Sequence, residues 1–478
     1  MEGAADLLAG PPASGYARPM GPSALAAGAT LNTRQRAHVE ALVADYSART
    51  AGSKRIAAET KPYHADHRAS LFFRPDLKEI VYPIYGARSL GPHIWDVDGN
   101  RYVDIAMDFG ACLFGHRPGF VRDALAEQAE EGLALCPTSS KSGPAAEILC
   151  RLTGMERAAF LNDGTEAVMS ALRLARTHTG RSRVVLFTRG FHGWYDQVLA
   201  PLTGRNRAAQ PPLGVAPEFL SEVTVLEYGT DAAIEQLSEI AGEVAAVLVE
   251  PLQGRDPAVR PVEFLRELRR ITHEAGAVLI FDEILTGFRV HPGGCQALFG
   301  IRADLTTYGK LLGGGLPIGV LAGSAEHMAP VDGGIWRFGD GSVPQTPKTD
   351  FGGTFFKNPM TMAAVLVILR ELERRGPGLQ EGLDRRTGRL LERLNGVFED
   401  AGVPIRAHGF SSLFQLEHDP ALEHAGLLTY ELVRRGVYLW HGMNYFLSDA
   451  HGDEEEEFLV ASFADAVDAL QRAELLPR

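Results

Sequence analysis

Three largely apolar runs in this chain each stop at a charged group: VAAVLVE at Glu250, AVLIFDE at Asp282 and Glu283, and DLTTYGK at Lys310. Runs of this kind are strands buried on both faces, as in a parallel sheet sandwiched between helices. In open sheets of that type, ligands sit at the carboxyl ends of the strands. A charge emerging there is costly to bury unless something pairs with it, so Asp282 and Lys310 imply a shared polar ligand or each other. A structural ion pair at a sheet edge is the competing reading.

The rest of the chain supports the same architecture. From about residue 110 to 345, short β-branched runs (Val184 to Phe187, Val244 to Val249, Val278 to Phe281, Leu305 to Tyr308) alternate with longer helical patterns. That rhythm predicts an α/β fold whose doubly wound sheet is mostly parallel. Upstream, Thr33 to Arg49 places Val39, Leu42, Val43 and Tyr46 at helical spacing, and WDVDGNRYVD (95–104) reads as a hairpin turning at Asp98-Gly99-Asn100. Past residue 350, helices around Met360 to Arg375 and Gly378 to Ala401 precede strand-like Ser411 to Glu417 and Gly436 to Trp440, giving a smaller α+β domain. The acidic run Asp453 to Glu457 reads as a solvated helix start. The expected division is a flexible arm at 1–30, a helix and small-domain segment at 31–108, a large domain at 109–348, and the rest of the small domain at 349–478.

Composition removes several functions. The chain has 478 residues, 45% hydrophobic and 22% charged, which suits a folded globular protein. A formal charge of -13 is the wrong sign for a phosphate-backbone binder, so no nucleic-acid partner is expected. Low-charge runs such as Leu311 to Gly323 are rich in Gly and Pro and fall short of the about 20 apolar residues a membrane span needs. Cys112, Cys136, Cys150 and Cys295 are too few and too scattered for a disulfide framework or a CxxC metal site. No metal is expected, and a reducing cytoplasm fits. The first residues lack the basic start and apolar stretch of a secretory signal.

In FLNDGTEAVMSALRLAR (160–176), Asn162-Asp163-Gly164-Thr165 follows a short strand and opens a long helix, so the amides of Gly164 and Thr165 lie at its positive end, a phosphate cradle. An ordinary helix cap is the alternative for this motif alone. There is no GxxxxGK[ST] motif. A phosphate site, a strand-end carboxylate and a strand-end lysine are the parts that pyridoxal phosphate requires. A lysine amine condenses with its aldehyde as a Schiff base, and an acid beside the pyridine nitrogen keeps that nitrogen protonated, making the ring an electron sink. Lys310 and Asp282 fit those roles. Phe191, in GFHGW, and Ile284, two residues past the acid, fit the two ring faces.

NDGTEA, FHG, VEP, FDEILTGFR, YGKLLGGGLPIG and GTFFKNP occur in the order seen in the class III aminotransferases of fold type I, which this chain resembles over most of its length. It is similar to glutamate-1-semialdehyde aminomutase. It looks closer still to the aminotransferase domains of hybrid polyketide and peptide synthetases, through FFRPDLKEIVYPI, DFGACLFGH, HPGGCQALFGI and YFLSDAH. The resemblance implies that Lys310 binds pyridoxal phosphate covalently, Asp282 pairs with the pyridinium, Gly164 and Thr165 hold the phosphate, and Phe191 and Ile284 sandwich the ring. It also implies a homodimer in which Gly353 and Thr354 complete the neighbouring phosphate site. Glu250, Glu283 and His192 match positions that surround the site rather than touch the cofactor.

Two departures bear on substrate. Phe191 stands where the aminomutase type has Tyr, removing a hydroxyl. The tail YFLSDAHGDEEEEFLV also lacks the Arg before a Pro pair that holds a carboxylate in enzymes using 2-oxoglutarate. Arg74, in FFRP, lies where the aminomutase type places an arginine for its substrate carboxylate, with a pair to a nearby acid as the alternative. The implied activity moves an amine from an amino acid donor to a keto or aldehyde acceptor in secondary metabolism, including a β-ketoacyl chain on an acyl carrier protein. The alternatives are an intramolecular aminomutase and, remotely, a non-catalytic regulator that binds the cofactor.

Overall fold

The computed structural model describes residues 31–68, 73–134, 137–200, 214–440 and 442–478. The expected arm at 1–30 and Cys136 lie outside these residues. The described chain forms two units, one of residues 119–380, the other of 31–118 together with 381–478.

The second unit opens with the helix Thr33–Arg49. Asn32 begins it: its side chain accepts from the amides of Arg34 and Gln35 at 2.9 Å, while the Gln35 side chain reaches back to the Asn32 amide. Three otherwise orphaned amides are satisfied by this capping box. The buried face, Val39, Leu42 and Tyr46, joins a core that includes Phe398 and Phe463. Three strands follow: β1 Gly86–Leu90, β2 His93–Asp96 and β3 Arg101–Asp104. The β2–β3 turn closes where the sequence predicts, with Gly99 at φ 86°, because Asp96 Oδ1 gathers the amides of Asp98 and Asn100.

The unit at 119–380 holds β4 Arg157–Leu161, β5 Arg183–Phe187, β6 Val223–Leu226, β7 Val244–Val249, β8 Val278–Asp282, β9 Leu305–Gly309 and β10 Gly319–Gly323. They form one sheet in the order β4-β10-β9-β8-β7-β5-β6. All adjacent pairs are parallel except the two made by β10, which is antiparallel to β4 and β9. Strands β7 to β10 are buried along their whole length, which explains their apolar composition. The sequence reading assigns no strand to Gly319–Gly323. Its glycines are required for close packing: a Cβ on Gly319 would sit 1.9 Å from the Asp163 carbonyl oxygen. The helix Pro359–Arg375 packs on Gly119–Glu131 and Ser142–Thr153 in this same unit.

The second unit resumes with β11 Ile405–Phe410, β12 Leu413–His418, β13 Val437–Tyr438 and β14 Tyr445–Phe446. β13 joins β3 in parallel to complete a four-stranded sheet, and β11-β12-β14 form an antiparallel one. The chain ends in the helix Asp453–Arg472, whose first turn carries Asp453, Glu454, Glu455 and Glu456 at the positive end of the dipole.

Candidate active site

β8 and β9 are neighbours, with Asp282 opposite Thr307, so their carboxyl ends bring Asp282 and Lys310 to the same edge of the sheet. Asp282 is almost wholly buried. His192 Nδ1–H donates to its Oδ2 at 2.7 Å; its Oδ1 accepts from the Ile284 amide at 3.1 Å and the Thr307 hydroxyl at 3.2 Å. Three donors on one carboxylate fix its position. Burial works against a charged His192, but the hydrogen bond and charge of Asp282, aided by Glu250, outweigh it and raise the imidazole's pKa.

Lys310 follows β9 with a left-handed backbone, φ 42°, a costly conformation for a residue with a side chain. Its ammonium makes no hydrogen bond or ion pair among the described residues. Burial lowers its pKa, while Asp282 and Glu250 pull in the other direction. An amine held in this way loses its proton more readily than a surface lysine.

Glu250, at the end of β7, accepts from the Phe191 amide at 3.1 Å and the Gly254 amide at 3.4 Å, and burial raises its pKa. Phe191 is 47% exposed, with the Arg255 guanidinium 5.5 Å from its ring centroid. Glu283 turns away from this cluster. It accepts from the amides of Cys295 at 2.6 Å and Gln296 at 3.3 Å and from the Thr286 hydroxyl at 3.3 Å, and burial pushes its pKa up to about 7.

The turn after β4 lies against the same edge. Asp163 caps the Glu166 amide at 2.9 Å, and Glu166 reaches back to the Asn162 amide at 2.8 Å. The amides of Gly164 and Thr165 have no hydrogen-bond partner among the described residues, as the first turn of a helix dictates. Three glycines allow the close approach. A Cβ would lie 2.5 Å from Ile284 Cδ1 at Gly164, 2.5 Å from Thr165 Oγ1 at Gly193, and against Asp163 at Gly319. The phosphate motif, Ile284 and the FHG segment are therefore in mutual contact. Sequence reasoning did not single out Gly193, Gly319, Thr307 or Arg255. The signal at Gly193 was its place in FHG, and at Thr307 its place three residues before the lysine.

Three predicted residues lie outside this cluster. Gly353 and Thr354 are exposed on the surface of the 119–380 unit. Arg74 belongs to the other unit and grips Asp76 in a fork, Nε to Oδ1 at 3.0 Å and Nη2 to Oδ2 at 2.5 Å. That is the pairing with a nearby acid weighed above, although its Nη1 is buried without a partner among the described residues.

The described residues fit pyridoxal phosphate. They supply a row of small-residue backbone at a helix start, a buried carboxylate fixed by three donors and a lysine of lowered pKa, all on one sheet edge. The fold is that of the fold-type I transferases. A solved transaminase with PLP bound superposes with a TM-score of 0.79 at 25% identity, covering 89% of this chain and 99% of that one. The β-phenylalanine aminotransferase of Variovorax paradoxus gives 0.78 at 30% identity, covering 93% and 99%. Residues 76–446 match the class-III aminotransferases, and the chain belongs to that family. A glutamate-1-semialdehyde 2,1-aminomutase of Desulfitobacterium hafniense is 33% identical over 407 residues, 81% of this chain and 91% of the relative.

Proposed function

We propose that this class-III aminotransferase uses pyridoxal phosphate to move an amine from an amino acid donor to a keto or aldehyde acceptor, a secondary-metabolite intermediate such as a β-ketoacyl chain on a carrier protein. The observation that carries the reading is the buried Asp282, clamped by His192, beside the strand that delivers Lys310. When bound, the cofactor supplies an aldehyde that accepts amines and a ring that takes up electron density. Asp282 holds a proton at the ring nitrogen. Lys310 Nζ, whose hold on its own proton burial loosens, takes the proton from the substrate carbon that bears the amine and returns it on the acceptor side. Gly164 and Thr165 hold the phosphate, and Phe191 and Ile284 bracket the ring. The β-amino acid named for the Variovorax neighbour favours an acceptor whose carbonyl is β to an acyl group.

The decisive measurement is donor dependence. The cofactor-loaded protein turns over a keto acceptor only when an amino acid donor is present, and Lys310→Ala abolishes both turnover and the donor-induced change in the visible band. Multiple turnover by Lys310→Ala refutes the assignment. The 33% identical aminomutase supports a second reading, an intramolecular amine shift. Turnover of an amino aldehyde with no donor establishes that reading in place of the first.

The protein acts as a homodimer in a reducing cytoplasm. Cys112, Cys150 and Cys295 are all thiols, and exposed apolar side chains of the 119–380 unit, Trp336 packed on Phe338 at 91% exposure and Phe355 at 69%, suit a second copy of the chain.

A further inference from the structure

In the unit of residues 31–118 and 381–478, three side chains that the amine transfer does not use stand in a row. His116 Nε2 lies 2.7 Å from Asp104 Oδ2, and its Nδ1 lies 3.7 Å from Cys112 Sγ. The other carboxylate oxygen of Asp104 accepts from the amides of Ala106 at 2.8 Å and Met107 at 3.0 Å. Asp104 is thereby held as an acceptor, and the proton it shares with His116 sits on Nε2. Nδ1 is left with its lone pair toward the thiol. This is the order in which an acid orients an imidazole and the imidazole deprotonates a nucleophile.

The other described cysteines lack this arrangement. Burial raises the thiol pKa of Cys150, and Cys295 is raised well above the usual range by burial and by the facing Glu283. Cys295 is also fully enclosed, whereas Cys112 keeps 9% of its surface open. Tyr438 and His451 also face Asp104, the latter through Nε2 on its carbonyl oxygen at 3.1 Å. Burial moves them to about 12 and about 4, so neither changes charge between pH 5 and 9.

We propose that Cys112 is a modification site for small peroxides, with His116 as its base and Asp104 as the group that orients the base. His116 Nδ1 takes the Sγ proton, and the sulfur attacks one oxygen of hydrogen peroxide. The S–O bond forms as the O–O bond breaks. The departing hydroxide recovers the proton from His116 and leaves as water. Sulfur is oxidised by two electrons, the peroxide is reduced, and a sulfenic acid remains on Cys112.

The test uses the full-length, cofactor-loaded protein at pH 6.5 with limiting hydrogen peroxide and a 1,3-dione that traps sulfenic acids, read by peptide mass spectrometry. Cys112 is expected to be trapped at least about tenfold faster than Cys150 or Cys295, the ratio that each unit of thiol pKa gives below both values. His116→Gln should remove that advantage and leave the Cys150 rate unchanged. Equal trapping of the three cysteines, or a Cys112 rate indifferent to the substitution, overturns the proposal. The wild-type pH profile is an arm that needs no variant: the Cys112 rate should reach its half-point below about pH 8, against about 8.5 for an ordinary thiol. A half-point at or above 8 also overturns it.

Discussion

Gly319→Ala is the sharpest test of the cradle, because the substitution is small and its clash falls on the Asp163 main chain. Gly319 lies on β10, opposite Leu161 of β4, and the added Cβ would meet the Asp163 carbonyl oxygen at 1.9 Å. Restoring a 3.0 Å contact requires 3.0 − 1.9 = 1.1 Å of movement, and the obstructing atom is main chain, in the turn between β4 and the helix it leads into, rather than the tip of a flexible side chain. Overpacking of this kind costs about 1–3 kcal/mol. Any retreat of Asp163 carries the Gly164 and Thr165 amides with it. A displacement of about 1 Å in a positioning group costs on the order of a hundredfold. Fluorescence titration of the apo variant should therefore show the Kd for pyridoxal phosphate raised about ten- to a hundredfold, with a lower unfolding midpoint. Gly388→Ala is the control: it lies in the helix Gly378–Asp400 with open space at its Cβ, and should leave cofactor affinity unchanged while stabilising by up to about 1 kcal/mol. Wild-type affinity in Gly319→Ala would show that the 163–165 turn does not hold the phosphate.

The remaining predictions concern protons and assembly. Glu283 has its folded pKa raised by burial to about 7 from 4.5, so the native state gains protons that the unfolded state releases, and stability falls as pH rises from about 4.5 to 7. Urea unfolding of Glu283→Gln should gain on wild type by about 3 kcal/mol across that window; parallel curves would contradict it. Glu431 has the opposite sign. Burial alone would raise its pKa, but His38, Arg434 and Arg435 more than offset this and hold it at about 2. Its contribution, about 3 kcal/mol above pH 4.5, is lost as pH falls toward 2, and Glu431→Gln should flatten acid unfolding in that range. Phe338→Asp should shift sedimentation from a dimer toward the 51.7 kDa chain, and an unchanged dimer would place the interface elsewhere.

Strands β7, β8 and β9 were legible because burial on both faces leaves short runs without charge, and the charges at Glu250, Asp282 and Lys310 mark where each run meets the edge. The helix at 33–49 was legible through its spacing. β10 was not, since its glycines are dictated by the Asp163 backbone across the sheet, a contact between residues more than 150 positions apart. β11, Ile405–Phe410, was missed as well, because its mixture of Arg, His and Gly gives no clean alternation.

The sequence by itself determined which groups carry the chemistry: a lysine and an acid at the ends of neighbouring apolar strands, and a glycine turn that opens a helix. Burial patterns and dihedral freedom are local properties, so they are written into short stretches of chain. Only the tertiary structure decided that His192 rather than solvent partners Asp282, that Glu283 turns away to hold the amides of Cys295 and Gln296, that Arg74 is taken by Asp76, and that Cys112, His116 and Asp104 stand in a row. Those choices depend on which distant segments pack together, and a buried donor or acceptor takes whatever partner the packing brings within about 3 Å.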